Sequence, residues 1–446
     1  LRNHTRSFTI VGGTGDSCGY NVASGGDFNG DGVNDLLLSC PYTSDTARGV
    51  TTVGAAYLIF GRHQSSPFPS SVYVANFTSG ISGFRVMGSE ANQFFGSGIA
   101  ACDLNRDGFS DFIVGGGSDS VPGSVFVIYG YSAGSYPAVN TYNFVSSTAG
   151  FKIVGYSNFD YTGVFVRSMG DLNQDGTADI AISSHAATTH GRVSAGVVTI
   201  LFGISTNPTM MPTARPSMVP SVAPNAAPTA LPSQPSAAPS EALSVAPSVI
   251  SSQTSAAPSV LPVATAMPSV TPSAVPTTPT VSPTVQPSDP SFAPTTQPSQ
   301  PTVAPSIART ASPTALPSLV PYQKNLNLTA FHSGAEGFRI IGANSGDGAG
   351  TTIASVDFNG DGVDDIVVGA SASDPTGNRA GAGSAYIIMG RRTNNTSIDL
   401  ATLTAHPTLG LTVMGASVAD RLGHSLANAG DFNGDGLDDV IVGAYT

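Results

Sequence analysis

One nine-residue pattern, D-x-N-x-D-G-x-x-D, occurs five times in the 446-residue chain, and each copy runs straight into a short apolar stretch. The copies are DFNGDGVND from Asp27, DLNRDGFSD from Asp103, DLNQDGTAD from Asp171, DFNGDGVDD from Asp357 and DFNGDGLDD from Asp431. Position 12, counted from each first aspartate, falls on Leu38, Val114, Ile182, Val368 and Val442. An EF-hand loop needs a bidentate glutamate there, with a helix beyond it. The runs LLLS, FIVG, IAIS, IVVG and VIVG are too short for a helix and read as strands. The pattern therefore predicts a loop joining two β-strands.

Alternate residues of a tight turn point inward together, so positions 1, 3 and 5 gather oxygen donors. These are Asp27, Asn29 and Asp31, then Asp103, Asn105 and Asp107, then Asp171, Asn173 and Asp175, then Asp357, Asn359 and Asp361, then Asp431, Asn433 and Asp435. The main-chain carbonyls of Val33, Phe109, Thr177, Val363 and Leu437 at position 7 add to each set. Asp35, Asp111, Asp179, Asp365 and Asp439 at position 9 close it. The glycine at position 6, Gly32 in the first copy, permits a reversal that a Cβ would obstruct. Calcium takes six to eight hard oxygens with tolerant geometry, whereas magnesium demands a near-ideal octahedron. The expectation is one calcium ion per copy, about five in all. A metal-free Asx turn also fits one copy. It does not explain five copies with identical offsets.

The first aspartates stand 76, 68, 186 and 74 residues apart, and two further elements keep phase with them. SFTIVG at Ser7, GFRVMG at Gly83, GFKIVG at Gly150, GFRIIG at Gly337 and GLTVMG at Gly410 precede the loops. GAAYLIFG, GSVFVIYG, GVVTILFG and GSAYIIMG, ending at Gly61, Gly130, Gly203 and Gly390, follow the first four. Each unit thus offers four short strands. Such units in series predict an all-β fold, a β-propeller of four-stranded blades.

A glycine-led strand, then the aspartate loop, then an apolar run ending in G-A or a variant resembles the FG-GAP repeat of integrin α-subunit propellers. FFGSGIAACDLNRDGFSDFIVGGG (Phe94 to Gly117) and RLGHSLANAGDFNGDGLDDVIVGAY (Arg421 to Tyr445) carry the resemblance best. The long period and the GFR-I-x-G strand are similar to FG-GAP proteins of bacteria and protists. The resemblance implies calcium on the lower face, in the loop between strands 1 and 2. It also implies ligand contact on the upper face, from the 2–3 and 4–1 loops. The "GAP" part departs from the family, reading SCP, GGG, SSH, GAS and GAY, which concerns strand ends and not the metal ligands.

The 29 acids against 17 bases give a net charge of −12, but 17 of those acids lie in the five loops, counting Asp364 and Asp438. The acidity is thus mostly metal site. No basic cluster is present to attract nucleic acid. Residues 206–321 hold 26 of the 33 prolines, one aromatic (Phe292) and four charges (Arg215, Glu241, Asp289, Arg309). They cannot bury enough apolar surface to offset their ordering entropy, so a disordered tether is expected, as an unmodified linker or an O-glycosylated stalk. The expected organisation is blades with three loops in 1–205, the tether in 206–321, and blades with two loops and a truncated last unit in 322–446. Either one propeller carries a long insertion or the tether joins two. The start at Leu1 and the stop at Thr446 after a second strand suggest a fragment, with any membrane attachment outside it.

Cys18 and Cys40 flank the first loop, where a bridge and two buried thiols both suit the pattern, and Cys102 is left over. Sequons at Asn3, Asn76, Asn327, Asn394 and Asn395 are compatible with an extracellular or cell-surface glycoprotein. No HExxH, GxSxG or Walker loop is found, and His185 and His190 read as solvated loop residues, so no enzyme is expected. Tyr42, Phe95, Tyr156, Phe159 and Tyr161 fall in the upper loops and are the expected contacts for a protein or glycan ligand. The expected function is a calcium-stabilised, integrin-α-like scaffold for adhesion or matrix recognition. The alternative is an accessory propeller of a larger, phospholipase-D-like hydrolase.

Overall fold

The computed structural model describes residues 7–63, 66, 68–74, 77, 82–131, 139–144, 149–204, 325–375, 379–391 and 396–445. The tether expected at 206–321 and the sequons at Asn3, Asn76, Asn394 and Asn395 lie outside the described residues. The strands are β1 (Thr9–Val11), β2 (Val22–Gly26), β3 (Asp35–Cys40), β4 (Ala55–Ile59), β5 (Ser71–Tyr73) and β6 (Gly83–Met87). Next come β7 (Gly98–Cys102), β8 (Asp111–Gly116), β9 (Ser124–Ile128), β10 (Val139–Asn140), β11 (Gly150–Val154), β12 (Val166–Ser168), β13 (Ile180–Ser184) and β14 (Val197–Leu201). Beyond the Pro-rich segment follow β15 (Leu326–Asn327), β16 (Gly337–Ile341), β17 (Thr352–Val356), β18 (Asp365–Ala370), β19 (Ser384–Ile388), β20 (Ile398–Asp399), β21 (Gly410–Met414), β22 (Ser425–Gly430) and β23 (Asp439–Gly443).

These are blades of a β-propeller. Strands 1 to 4 of successive blades are β2-β3-β4-β6, β7-β8-β9-β11, β12-β13-β14-β16 and β17-β18-β19-β21, antiparallel throughout, followed by the hairpin β22-β23. The second and third strands β4, β8, β9, β13, β14, β18 and β19 are buried along their whole length because both faces of a blade meet a neighbour. Alternate residues serve opposite layers: Ile180 and Ile182 of β13 face the core shared with the preceding blade, and Ala181 faces the core shared with the next. Phe95 belongs to such a layer. Expected at the recognition face, it is 0% exposed and edge-on to Phe126 at 5.5 Å, because the chain turns it inward between two blades.

The leading glycine of each fourth strand has a definite cause. Gly83, Gly150, Gly337 and Gly410 have φ of 130°, 142°, 139° and 154°, and a Cβ on any of them would stand against the carbonyl oxygen of Leu58, Val127, Ile200 or Ile387. The position-9 aspartates tie each loop to its sheet. One carboxylate oxygen accepts the N–H of position 2 (Phe28, Leu104, Leu172, Phe358) at 2.8–3.0 Å. The other accepts the N–H of the glycine ending the third strand, Gly61, Gly130, Gly203 or Gly390, at 2.6–3.0 Å. Burial pushes the Asp35 and Asp179 carboxyls up to about 6 and about 8, and those of Asp111 and Asp365 upward, against the main-chain bonds that favour the ionised form.

Short stretches of two or three residues ahead of the fourth strands form straps. β5, β10, β15 and β20 each pair in parallel with the fourth strand of the preceding blade (β1, β6, β11, β16), covering an edge that would otherwise stay open. The Pro-rich segment enters between β14 and β15. β14 pairs residue for residue with β16, from Val197↔Ile341 to Leu201↔Gly337, so the chain on both sides builds one sheet and one compact unit. Cys18 and Cys40 form a disulfide, and Cys102 is a buried thiol. Among the described residues no helix is long and apolar enough to cross a membrane.

Two outcomes test this packing. Asp179→Ala strands two main-chain N–H groups in the interior and should cost about 2–4 kcal/mol in denaturant unfolding, with chelator present throughout. Arg192 grips Asp399 with two hydrogen bonds, at 2.8 and 2.6 Å, and this holds the Asp399 carboxyl below its usual range. The pair's stabilisation is thus complete above the ordinary carboxylate range and is lost as pH falls through the lowered value. The Tm difference between wild type and Asp399→Asn should be present at pH 7 and close on acidification toward pH 3.

Candidate metal loops and recognition face

The five aspartate loops fold alike. In the first, Asp27 Oδ1 and Asn29 Oδ1 both accept the N–H of Asp31 at 3.0 Å, and Asp27 Oδ2 accepts that of Gly32 at 2.9 Å. Asp31 Oδ1 accepts the N–H of Val33 at 2.8 Å, and Asn29 Nδ2 donates to Asp31 Oδ2. The same bonds recur at Asp103–Phe109, Asp171–Thr177 and Asp357–Val363. In the fifth loop, Asp431, Asn433 and Asp435 repeat the main-chain part. Main-chain amides thus draw positions 1, 3 and 5 into one turn in every copy. Position 9, the expected fifth ligand, carries a second task in the first four copies: each carboxylate oxygen accepts one main-chain N–H and keeps a lone pair toward the loop.

Among the described residues no three His, Cys, Asp or Glu side chains stand together closely enough to hold an ion by themselves. The loops meet a cation's needs differently. Their donors are all oxygen, with asparagine amides and main-chain carbonyls beside the carboxylates, the hard set that calcium takes. Asp27 and Asp31 add like-charge repulsion to the burial that raises Asp35. The described ion pairs, Arg48–Asp45, Arg192–Asp399 and His190–Asp399, leave Asp27, Asp31, Asp103, Asp107, Asp171 and Asp175 out. The residues present therefore fit a divalent cation that offsets this charge.

Antiparallel strands place the 2–3 and 4–1 connections at the end of each blade opposite the aspartate loops. A second acid or amide, missed as a feature of the sequence, organises this face. Gln93, Asp160, Asp347 and Asp420 each stand five residues after the glycine that ends a fourth strand, an offset that was legible. Asp160, 1% exposed, accepts the N–H groups of Tyr156, Ser157 and Thr162 at 2.7–3.1 Å. Gln93, Asp347 and Asp420 bind the start of their own loops in the same way. Arg48, Arg192 and Arg379 reach from 2–3 loops to the carbonyls of Gly88, Gly342 and Gly415. These loops are pinned by buried Gln93, Asp160 and Asp347, by half-buried Asp420, and by the partly exposed arginines.

The predicted aromatic contacts separate under this geometry. Tyr42 and Phe159 are 44% and 58% exposed. Tyr161 is half-buried, stacked on His185, and donates to Asp119 at 2.8 Å. Tyr156 packs on the apolar core, its hydroxyl 3.0 Å from that of Thr199, because the 4–1 loop folds it between blades. His185, expected to be solvated, is held against Tyr161 with Nδ1 buried, and burial lowers its pKa.

The family model of the FG-GAP repeat matches residues 168–201, 349–388 and 422–446, which contain the third, fourth and fifth loops. The chain is similar to integrin alpha-V of Gallus gallus, 30% identical over 197 residues, 42% of this chain and 15% of that protein. It is also similar to phosphatidylinositol-glycan-specific phospholipase D of Dictyostelium discoideum, 29% identical over 185 residues, and of Mus musculus, 30% over 189. Those matches cover 40% and 41% of this chain and 19% and 20% of the two phospholipases. The chain thus spans a fifth or less of the length of these relatives. Loop, blade and sequence agree that the chain carries FG-GAP repeats and resembles the β-propeller proteins built from them, integrin alpha chains among them.

Proposed function

We propose that the chain is a calcium-stabilised binding scaffold of the cell exterior, which recognises a protein or glycan partner in adhesion or matrix contact and performs no catalysis. The observation that carries this is the contrast between the two ends of the blades. One end repeats five near-identical oxygen-lined turns, and the other presents loops of different length and sequence held rigid by Gln93, Asp160, Asp347 and Asp420. Rigid, varied loops on a regular frame suit recognition. The Cys18–Cys40 disulfide supports an oxidising compartment. Asn327, in a sequon, is exposed.

Asp27, Asn29, Asp31, the Val33 carbonyl and Asp35 would hold the first ion, and the equivalent residues of the other loops the rest. Bound calcium supplies the positive charge that lets these carboxylates ionise side by side. The exposed aromatics Tyr42 and Phe159 supply apolar contact area for the partner, and half-buried Tyr161 adds to it. A second reading is favoured by the relatives named phosphatidylinositol-glycan-specific phospholipase D. In that reading the propeller is an accessory domain, and a catalytic domain elsewhere in the intact protein acts on a glycan-bearing lipid. Hydrolase activity of the intact protein, lost on deleting that other domain, would favour it over the adhesion scaffold.

Calcium should raise the melting temperature by about 10 °C or more over protein in chelator, since each ion binds the native state alone. Calorimetric titration should count about five ions. An unchanged melt and no binding heat would remove the metal from this reading. Replacing Tyr42 and Phe159 together with alanine should weaken attachment to arrays of matrix proteins and glycans about tenfold or more while leaving the melt nearly unchanged. The same change at Tyr156 should instead lower the melt, because that side chain packs against the core.

A further inference from the structure

We propose that the residue at position 4 of each aspartate loop is a positioning residue for the next loop along the chain, so that the calcium sites of adjacent blades are coupled. The inference rests on the calcium reading above and adds a neighbour to each site. Position 4 is Gly30, Arg106, Gln174, Gly360 and Gly434, and position 7 is Val33, Phe109, Thr177, Val363 and Leu437. The two positions match in size across each junction. Phe109 lays its ring where a Cβ on Gly30 would be, and Leu437 lies in the same way against Gly360. Where position 4 is long, the following position 7 is small: Arg106 meets the loop of Thr177, and Gln174 the loop of Val363.

The contacts fall on the peptides that orient the metal carboxylates. Arg106 Nη1 donates to the Asp175 carbonyl at 3.3 Å, and the N–H of that same peptide, on Gly176, donates to Asp171 Oδ2 at 2.8 Å. Gln174 Nε2 donates to the Gly362 carbonyl at 3.0 Å, and the N–H of that peptide, on Val363, donates to Asp361 Oδ1 at 2.8 Å. Phe109 and Leu437 give their own N–H groups to Asp107 and Asp435. In two junctions the neighbour holds a peptide that aims a carboxylate, and in the other two the glycine makes room for the side chain of the residue whose N–H does so. Backbone conformation is the second, independent observation. Position 4 is left-handed in every loop, with φ of 69°, 56°, 58°, 71° and 81°, a region that favours glycine. Arg106 and Gln174 stay there despite their Cβ atoms, so their side chains are retained for what they reach.

The test is calorimetric calcium titration of the full chain. Arg106→Gly relieves the backbone yet should weaken one site roughly three- to tenfold, in the lower part of the range of coupling between residues in contact. Asp175→Ala removes the third site, and in that background Arg106→Gly should have no further effect on calcium binding. A second pair covers the case in which Asp175→Ala does not fold. Gly360→Arg should collide with Leu437 and weaken the fifth site, and adding Leu437→Thr, which copies the Arg106–Thr177 junction, should restore it. Unchanged affinities in Arg106→Gly, an equal loss in the Asp175→Ala background, or a double variant no better than Gly360→Arg overturns the coupling and leaves the calcium reading standing. Wild type that binds no calcium overturns both.

Discussion

A buried carboxylate at the root of each blade carries the connection between loop and sheet. Asp35, Asp111, Asp179 and Asp365 each take one N–H from the start of the aspartate loop and one from the glycine that ends the third strand. One side chain thereby fixes where the first strand stops, how the turn is shaped and where the third strand ends. Burial opposes the charge of these groups, and the main-chain bonds offset only part of that cost. The loop above, rich in further aspartates, makes the position worse unless a cation joins it.

With the root fixed, the blades add by contact between their faces. Alternating side chains of β13 and β18 serve two apolar layers at once, so no blade has a core of its own. Straps such as β15 and β20 belong in sequence to one unit and pair with the previous one, which links blades in order. This explains how an insertion of 116 residues, 206–321, is tolerated. It enters after β14, before the strap β15, and the register of β14 with β16 is kept. Loop closure entropy grows only slowly with length, so the added chain costs little once the flanking strands are paired.

The two ends of the blades are stiffened by different chemistry. At one end, main-chain amides gather aspartate and asparagine oxygens within nine residues. At the other, single buried acceptors such as Asp160, with arginines reaching from the 2–3 loops to the ends of fourth strands, hold loops that share little sequence. The first arrangement tolerates no variation in spacing. The second fixes only a few amides and leaves the rest of each loop free to differ.

The aspartate loops, the four-strand unit and the propeller were legible in the chain because they rest on local rules: ligand spacing within nine residues, period-two burial and glycine at forced backbone angles. Sequence alone also placed the Pro-rich interruption. Other features were decided by partners distant in the chain. Phe95 and Tyr156 looked like surface aromatics in glycine-rich loops, and contact with the neighbouring blades buried the first and half-buried the second. Cys18 and Cys40 fitted both a bridge and free thiols until the fold brought them together. The tie of position 9 to the sheet was not legible, since its second partner, the glycine ending the third strand, lies 19 to 26 residues away. Local spacing determines which groups a turn can gather. Only the packing of blade on blade decides which of those groups remain at the surface and which are spent inside.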